Sequence, residues 1–250
     1  MPPPRHRLVC FHHAGGSAAS FNSWSRALPE WIEVHKVQLP GRDPAGPERP
    51  HTDVRALIPE LRAQLAPVLA GPFAFYGHSL GALVAFELAR ALRAAGGPAP
   101  AALFVSGRRA PQVPLSMAAL YDLPEDRLIP RLVELGGVSP ELIRNPKYLR
   151  YFIPVMRADL QVSDRYDHAP GAPLDLPLFA FKGADDPIVS EADFLAWGAQ
   201  AGGAFEATVL PGRHFLPPEA IALLQAAIVA RLSALAPRAA LAPASGAAAS

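Results

Sequence analysis

One cysteine, Cys10, stands in a chain of 250 residues, so no internal disulfide can form. Such a chain suits a reducing compartment, and a cytoplasmic location is expected. Neither sign of charge dominates: 23 Lys and Arg against 22 Asp and Glu leave a formal net charge of +1. Without a strong global field, neither nucleic acid nor an anionic membrane surface is an expected partner. No stretch reads as the ~18–20 consecutive apolar residues of a membrane span. The opening Met1–Arg7 is proline-rich and basic, without the apolar core and small-residue cleavage site of a secretion signal. What the chain has in quantity is apolar side chains, 50% of all residues, enough for one large core. The length suits a single domain, expected over residues 1–236, and a monomer is the expected state. The tail from 237 to 250 is almost all Ala, Pro, Ser and Gly. It holds too little bulk to offset its ordering entropy, and disorder is expected there.

Short apolar runs alternate with helical patterns, which predicts an α/β fold with a mostly parallel sheet between helices. The runs are Leu8–Phe11, Glu33–Gln38, Phe73–Tyr76, Ala101–Ser106, Leu178–Phe181 and Phe205–Leu210, each bounded by Gly, Pro or charge. Helices are expected at Ser17–Leu28, Asp53–Leu69, Leu80–Ala95, Glu191–Gln200 and Pro218–Leu235. In the last, Ile221, Leu224, Ile228 and Leu232 make one apolar stripe. From about 111 to 169 the alternation lapses. Helical pieces at Leu128–Leu135 and Tyr148–Leu160 are broken by prolines, as expected of a lid inserted over one end of the sheet.

Gly77-His78-Ser79-Leu80-Gly81 matches G-x-S-x-G. A nucleophilic serine on a sharp strand-to-helix turn needs glycines two before and two after it, because side chains there would collide. The pentapeptide arises easily by chance. Here the short strand Phe73–Tyr76 precedes it and a glycine-free helix follows, the arrangement the chemistry requires. A serine hydroxyl needs a base, and in this arrangement the acid and then the histidine follow along the chain. His214 lies in a loop after a strand and before the last helix, where sites collect in open α/β sheets. His6, His35, His51 and His168 lack that placement. After Leu178–Phe181 come Asp185 and Asp186, between which sheet geometry does not choose. Asp175 lies at the wrong end of the strand.

Acyl transfer also needs donors for the oxyanion. One is the amide of Leu80. The other is expected from His12-His13-Ala14-Gly15-Gly16, with Ala14 the candidate and His13 close behind. No metal is expected, since adjacent His12 and His13 lack a third ligand at recognisable spacing. No cofactor is expected either, because neither phosphate-loop pattern occurs. Cys10, inside a strand, reads as a small buried hydrophobe.

Taken together the blocks resemble the type II thioesterases, stand-alone editing enzymes of polyketide and nonribosomal peptide synthesis on the α/β-hydrolase fold. Leu8–Ser17 resembles the family's opening block, and Val37-Gln38-Leu39-Pro40-Gly41-Arg42 its second. The elbow fits, as do Arg157-Ala158-Asp159-Leu160 with Tyr166, then Gly183-Ala184-Asp185-Asp186-Pro187 and Gly212-Arg213-His214-Phe215. The likeness runs from about residue 7 to 235. One departure is His12, where the family usually has proline. The resemblance selects Asp186 as the acid. It implies hydrolysis of acyl thioesters on the phosphopantetheine arm of an acyl or peptidyl carrier protein, through a Ser79 acyl-enzyme. On that reading Met117, Leu120, Leu132 and Phe152 of the lid line the acyl pocket. Basic residues Arg144, Lys147 and Arg150, with Arg108-Arg109, face the acidic carrier. A general carboxylesterase or lipase on the same fold is the alternative. A hydrolase-fold binding protein without turnover is the second, against which the intact triad residues speak.

Overall fold

The computed structural model describes residues 6–43, 45–116, 118–138 and 144–235. Six strands form: β1 His6–Phe11, β2 Ile32–Lys36, β3 Phe73–His78, β4 Leu103–Ser106, β5 Leu178–Gly183 and β6 Phe205–Leu210. They pair in the order β2-β1-β3-β4-β5-β6, and every pairing is parallel. Each expected apolar run is therefore a strand, with ends shifted by a few residues. Glu33–Gln38 in particular stops at Lys36, and the Gln38 side chain accepts from the Ala18 amide.

The helices are α1 Trp24–Ala27, α2 Val54–Leu65, α3 Leu80–Ala94, α4 Glu125–Glu134, α5 Pro146–Asp164, α6 Glu191–Leu195 and α7 Pro218–Leu235. Three expected helices are shorter than the pattern suggested. Ser17–Leu28 is a 3-10 turn, Ala18–Phe21, followed by α1. Asp53–Leu69 divides into α2 and a 3-10 turn at Val68–Ala70. Glu191–Gln200 tightens into a 3-10 turn after Leu195. Apolar spacing does not distinguish one long helix from two short ones in line.

Successive strand residues point to opposite faces, which divides the core in two. Val9, Phe11, Phe73, Phe75, Leu103, Val105, Leu178 and Ala180 pack under α2 and α3. Leu8, Cys10, Ala74, Tyr76, Phe104, Phe179 and Phe181 pack under α1 and α7. Helix α7 covers its face with Ala220, Leu224, Ile228 and Leu232. Contrary to the expectation that no stretch qualifies, α7 is long and apolar enough to cross a membrane, with mean hydropathy 1.4 over 18 residues. Leu224, Ile228 and Leu232 form the stripe that packs on the sheet, while Leu223 and Leu235 are exposed.

A third cluster joins α4 and α5 through Leu128, Leu132, Phe152, Ile153, Met156 and Leu160. The prolines inside these helices, Pro130 and Pro154, do not end them. The strand order reverses between β1 and β3, since the chain goes outward to β2 and returns to the other side of β1. Loops leaving β1 and β3 diverge there and open a crevice at their carboxyl ends, the usual ligand position in such sheets.

Candidate active site

Ser79 sits in that crevice between β3 and α3. Its φ of 55° and ψ of −115° make it the one non-glycine residue with positive φ among the described residues. Such a conformation costs of order 1–3 kcal/mol and persists only when its surroundings enforce it. Here the Ser79 amide donates to the Ser106 carbonyl at 2.8 Å. Helix and strand also close on one another. A Cβ at Gly77 would overlap the Gly81 carbonyl, and one at Gly81 would overlap the Phe11 carbonyl oxygen. Both glycines of the motif are thus fixed by close approach of backbone.

His214 is 5% exposed and reaches both partners. Its Nδ1 donates to Asp186 Oδ2 at 3.0 Å, which leaves Nε2 to accept from the Ser79 hydroxyl at 3.2 Å. The two aspartates between which sheet geometry did not choose differ sharply in place. The Asp186 side chain is fully buried, and Oδ1 accepts from the Ile188 amide at 2.8 Å. Asp185 is exposed and only its amide is engaged, donating to the Gly212 carbonyl. Burial by itself would raise the Asp186 carboxyl. The hydrogen bond and charge of His214, with the Ile188 and Val189 amides, outweigh it and hold the group below its ordinary value.

The loop after β1 lies against the serine. Its Gly15 amide donates to Asp159 Oδ2 at 2.7 Å and its Gly16 amide to the His13 carbonyl at 3.0 Å. Among the described residues no acceptor pairs with the amide of Ala14 or His13, so both expected oxyanion donors remain open. Leu80, the other expected donor, begins α3.

Three more histidine rings crowd this end of the sheet, and all are held neutral. His12, fully buried, donates from Nδ1 to the His13 carbonyl at 2.9 Å; burial, then the Arg42 charge, lowers its pKa to about 3. Burial, His214 and Arg42 lower His13 to about 4. His78 shares the Ser106 hydroxyl with Tyr76, at 2.8 and 2.9 Å, and burial pushes it well below the ordinary histidine value. Among the described residues, no three His, Cys, Asp or Glu side chains converge as metal ligands.

Two small cavities meet at Ser79. One, about 60 Å³, is walled by His13, Ala14, Leu120, Leu132, Met156 and Phe215, among others. The other, about 70 Å³, runs past Leu120 and Leu160 toward Arg108 and Ser163. Of the four expected pocket residues, Leu120 and Leu132 lie on these walls. Phe152 does not; it stacks on Tyr148 and presses on Gly15. Met117 lies outside the described residues. Sequence reasoning missed Met156, Leu160, Ile188 and Phe215. The helical spacing of Met156 and Leu160 was a usable signal, and Phe215 adjoins the base. A larger hollow of about 360 Å³, between Thr52–Arg55 and Gln161–Asp167, contains no nucleophile and base in contact.

Of the basic residues expected to face a partner, Arg144, Lys147 and Arg150 are exposed. Arg108 is not. It is buried, with its guanidinium on the Ser163 hydroxyl, and burial lowers its pKa to about 9, so it presents no surface charge.

A strained serine at the carboxyl end of a parallel strand, bonded to a histidine that is bonded to a buried aspartate, marks a hydrolase of the α/β fold. The chain belongs to the thioesterase family, whose domain model matches residues 6–231. It is 37% identical to the gramicidin S biosynthesis protein GrsT of Aneurinibacillus migulanus, over 84% of this chain and 82% of that one. Among solved structures it resembles RedJ, a thioesterase of the prodiginine pathway in Streptomyces coelicolor. That likeness has a TM-score of 0.85 and 37% identity, over 92% of this chain and 93% of RedJ. It also resembles the type II thioesterase BorB from the borrelidin cluster, with TM-score 0.81 and 31% identity over 94% and 95% of the two chains.

Proposed function

We propose that this chain, as a cytoplasmic monomer, removes aberrant or stalled acyl groups from the phosphopantetheine arm of acyl or peptidyl carrier proteins. The observation that carries the reading is the hydrogen-bonded series Ser79–His214–Asp186 opening on a cavity lined by apolar side chains. His214 Nε2 takes the hydroxyl proton as Ser79 Oγ attacks the thioester carbonyl carbon. The amides of Leu80 and Ala14 receive the oxyanion. The tetrahedral adduct collapses by breaking the C–S bond, and His214 returns its proton to the departing pantetheine thiolate. Water, deprotonated by the same nitrogen, then attacks the acyl-enzyme and frees the acid and the serine. Asp186 holds the ring with Nδ1 protonated and stabilises its cationic form.

The segment 111–169 acts as the lid in this reading, and it sets the acyl size. In this reading the acyl group occupies the two cavities, of about 60 and 70 Å³, that meet at Ser79. The exposed Arg144, Lys147 and Arg150 offer an acidic carrier a basic approach.

The test is a panel of acyl groups on one carrier protein, compared with simple oxygen esters of equal length, for wild type and Ser79→Ala. Preference for the carrier thioesters, lost in the variant, supports the reading. Equal rates on the simple esters would leave a general carboxylesterase. Turnover surviving in Ser79→Ala would end the mechanism.

A further inference from the structure

Asp159 is a buried carboxylate that the proposed mechanism does not use. It sits within α5, at a site where aspartate is a poor helix former, and it is 2% exposed. Its Oδ2 accepts from two groups distant in sequence, the Gly15 amide at 2.7 Å and the Arg42 guanidinium. The two ionic side chains are each 3% exposed. Arg42 is fixed in turn, donating from its second terminal nitrogen to the Pro40 carbonyl at 2.8 Å. The Tyr151 hydroxyl, about two helical turns toward the start of α5, donates to the Arg42 carbonyl.

The same helix face presses on the loop. Phe152, Met156 and Asp159 follow at four- and three-residue intervals and so project together. Gly15, at φ +71°, lies beneath them, where any side chain would collide with Met156 and Phe152. A buried carboxylate without a partner costs several kcal/mol; Arg42 supplies the charge, and Gly15 supplies the directed hydrogen bond.

The consequence follows from the planarity of the peptide. The Gly15 N–H and the Ala14 carbonyl belong to one plane and point in opposite directions. While the N–H is held by Asp159, the carbonyl faces away from the carboxylate. A flip of that plane would aim the carbonyl oxygen at a negative group. We infer that Asp159 is a positioning residue that locks the Ala14–Gly15 peptide and thereby aims the oxyanion loop, with Arg42 holding Asp159 in place. The inference rests on the reading of Ser79 and Ala14 given above.

Three variants test it: Asp159→Ala removes the acceptor, Asp159→Asn keeps an acceptor oxygen but strands Arg42, and Arg42→Gln/Asp159→Asn restores a neutral hydrogen-bonded pair. The readouts are kcat and KM on an acyl-pantetheine thioester. Two affinities accompany them, for a thioether analogue with no carbonyl and for a boronic acid that forms a tetrahedral adduct on Ser79. Loss of one aimed donor lowers kcat by about 10²–10³, so misaiming in Asp159→Ala is expected to lower it about 10- to 100-fold. Boronate affinity should fall with it, while KM and thioether affinity stay near wild type. The double variant should recover most of the loss. Full kcat in folded Asp159→Ala would overturn the inference, as would thioether and boronate affinities falling together. If Asp159→Ala does not fold, the double variant decides alone: a near-native rate supports the role, and a rate as low as that of Asp159→Asn removes it. Ser79→Ala separates the two levels. Activity remaining there sinks the reading of the site, whereas a silent Ser79→Ala beside a fully active Asp159→Ala sinks only the positioning role.

Discussion

Asp186 Oδ2 lies 3.0 Å from Nδ1 of His214, on a side chain with no solvent exposure, while Asp185 beside it is turned to solvent. The pairing fixes the histidine tautomer, and neutralising it while keeping the shape should reverse that tautomer. Asp186→Asn is expected to lower kcat about 10⁴-fold with KM little changed, as for other triads. Asp185→Asn should stay close to wild type. Steady-state kinetics on one acyl-carrier substrate compares them directly.

Ser79 holds a conformation that only glycine adopts freely. Ser79→Ala and Ser79→Gly should both lose the acyl-enzyme, read by fluorophosphonate labelling. Their stabilities should differ. Glycine relieves strain of order 1–3 kcal/mol and gives back about 0.4–1 kcal/mol in unfolded-chain entropy. At roughly 2–4 °C per kcal/mol for a chain of this size, Ser79→Gly should melt a few degrees above Ser79→Ala. Equal melting temperatures would mean that the strain does not exceed that entropic cost.

Gly81 lies in the first turn of α3, where Gly→Ala ordinarily stabilises by about 1 kcal/mol. The Phe11 carbonyl oxygen blocks the added Cβ, so the sign should invert. Urea unfolding of Gly81→Ala should show a loss of at least about 1–3 kcal/mol, the usual cost of overpacking.

His12 and His13 have folded pKa values of about 3 and 4 against 6.5 for the free side chain. Above pH 6.5 both states leave these rings neutral and stability is at its full value. Below it the unfolded chain takes up protons that the folded one refuses. Stability therefore falls with falling pH, by up to about 1.4 kcal/mol per pH unit for each ring, until the folded values are reached. Denaturant unfolding across that window should show the decline. His12→Asn should flatten it by one proton, and an unchanged slope would refute the neutral buried ring.

Leu132, on α4, closes the smaller cavity. Leu132→Ala should raise the rate on medium-length acyl groups relative to short ones, at a stability loss of about 2–5 kcal/mol. A chain-length profile on one carrier protein reads the change.

Much of the architecture was legible beforehand. The inner strands β1, β3, β4 and β5 announced themselves as short apolar runs, because a parallel strand buried on both faces leaves no polar alternation. The edge strands β2 and β6, with exposed Glu33 and Glu206, carry a weaker signal. The lengths of the helices were less legible. Val54–Leu65 and Val68–Ala70 share one apolar stripe, yet the chain tightens between them. Of the site, Ser79 was marked by its glycines and His214 by its place after a strand. Phe152 was expected in the pocket and instead presses on Gly15, because the direction of a helix face depends on what the helix lies against.

The sequence alone determined what is written in local chemistry: six strand segments, a tight turn bearing a serine, and a histidine loop near the end. Those depend on residues a few positions apart. Tertiary structure placed Asp186 and not Asp185 against His214, buried Arg108 away from the surface, and brought Asp159 to Gly15 and Arg42 across more than a hundred residues. Such choices depend on how separate elements pack, and burial and contact at that range leave no periodic trace in the chain.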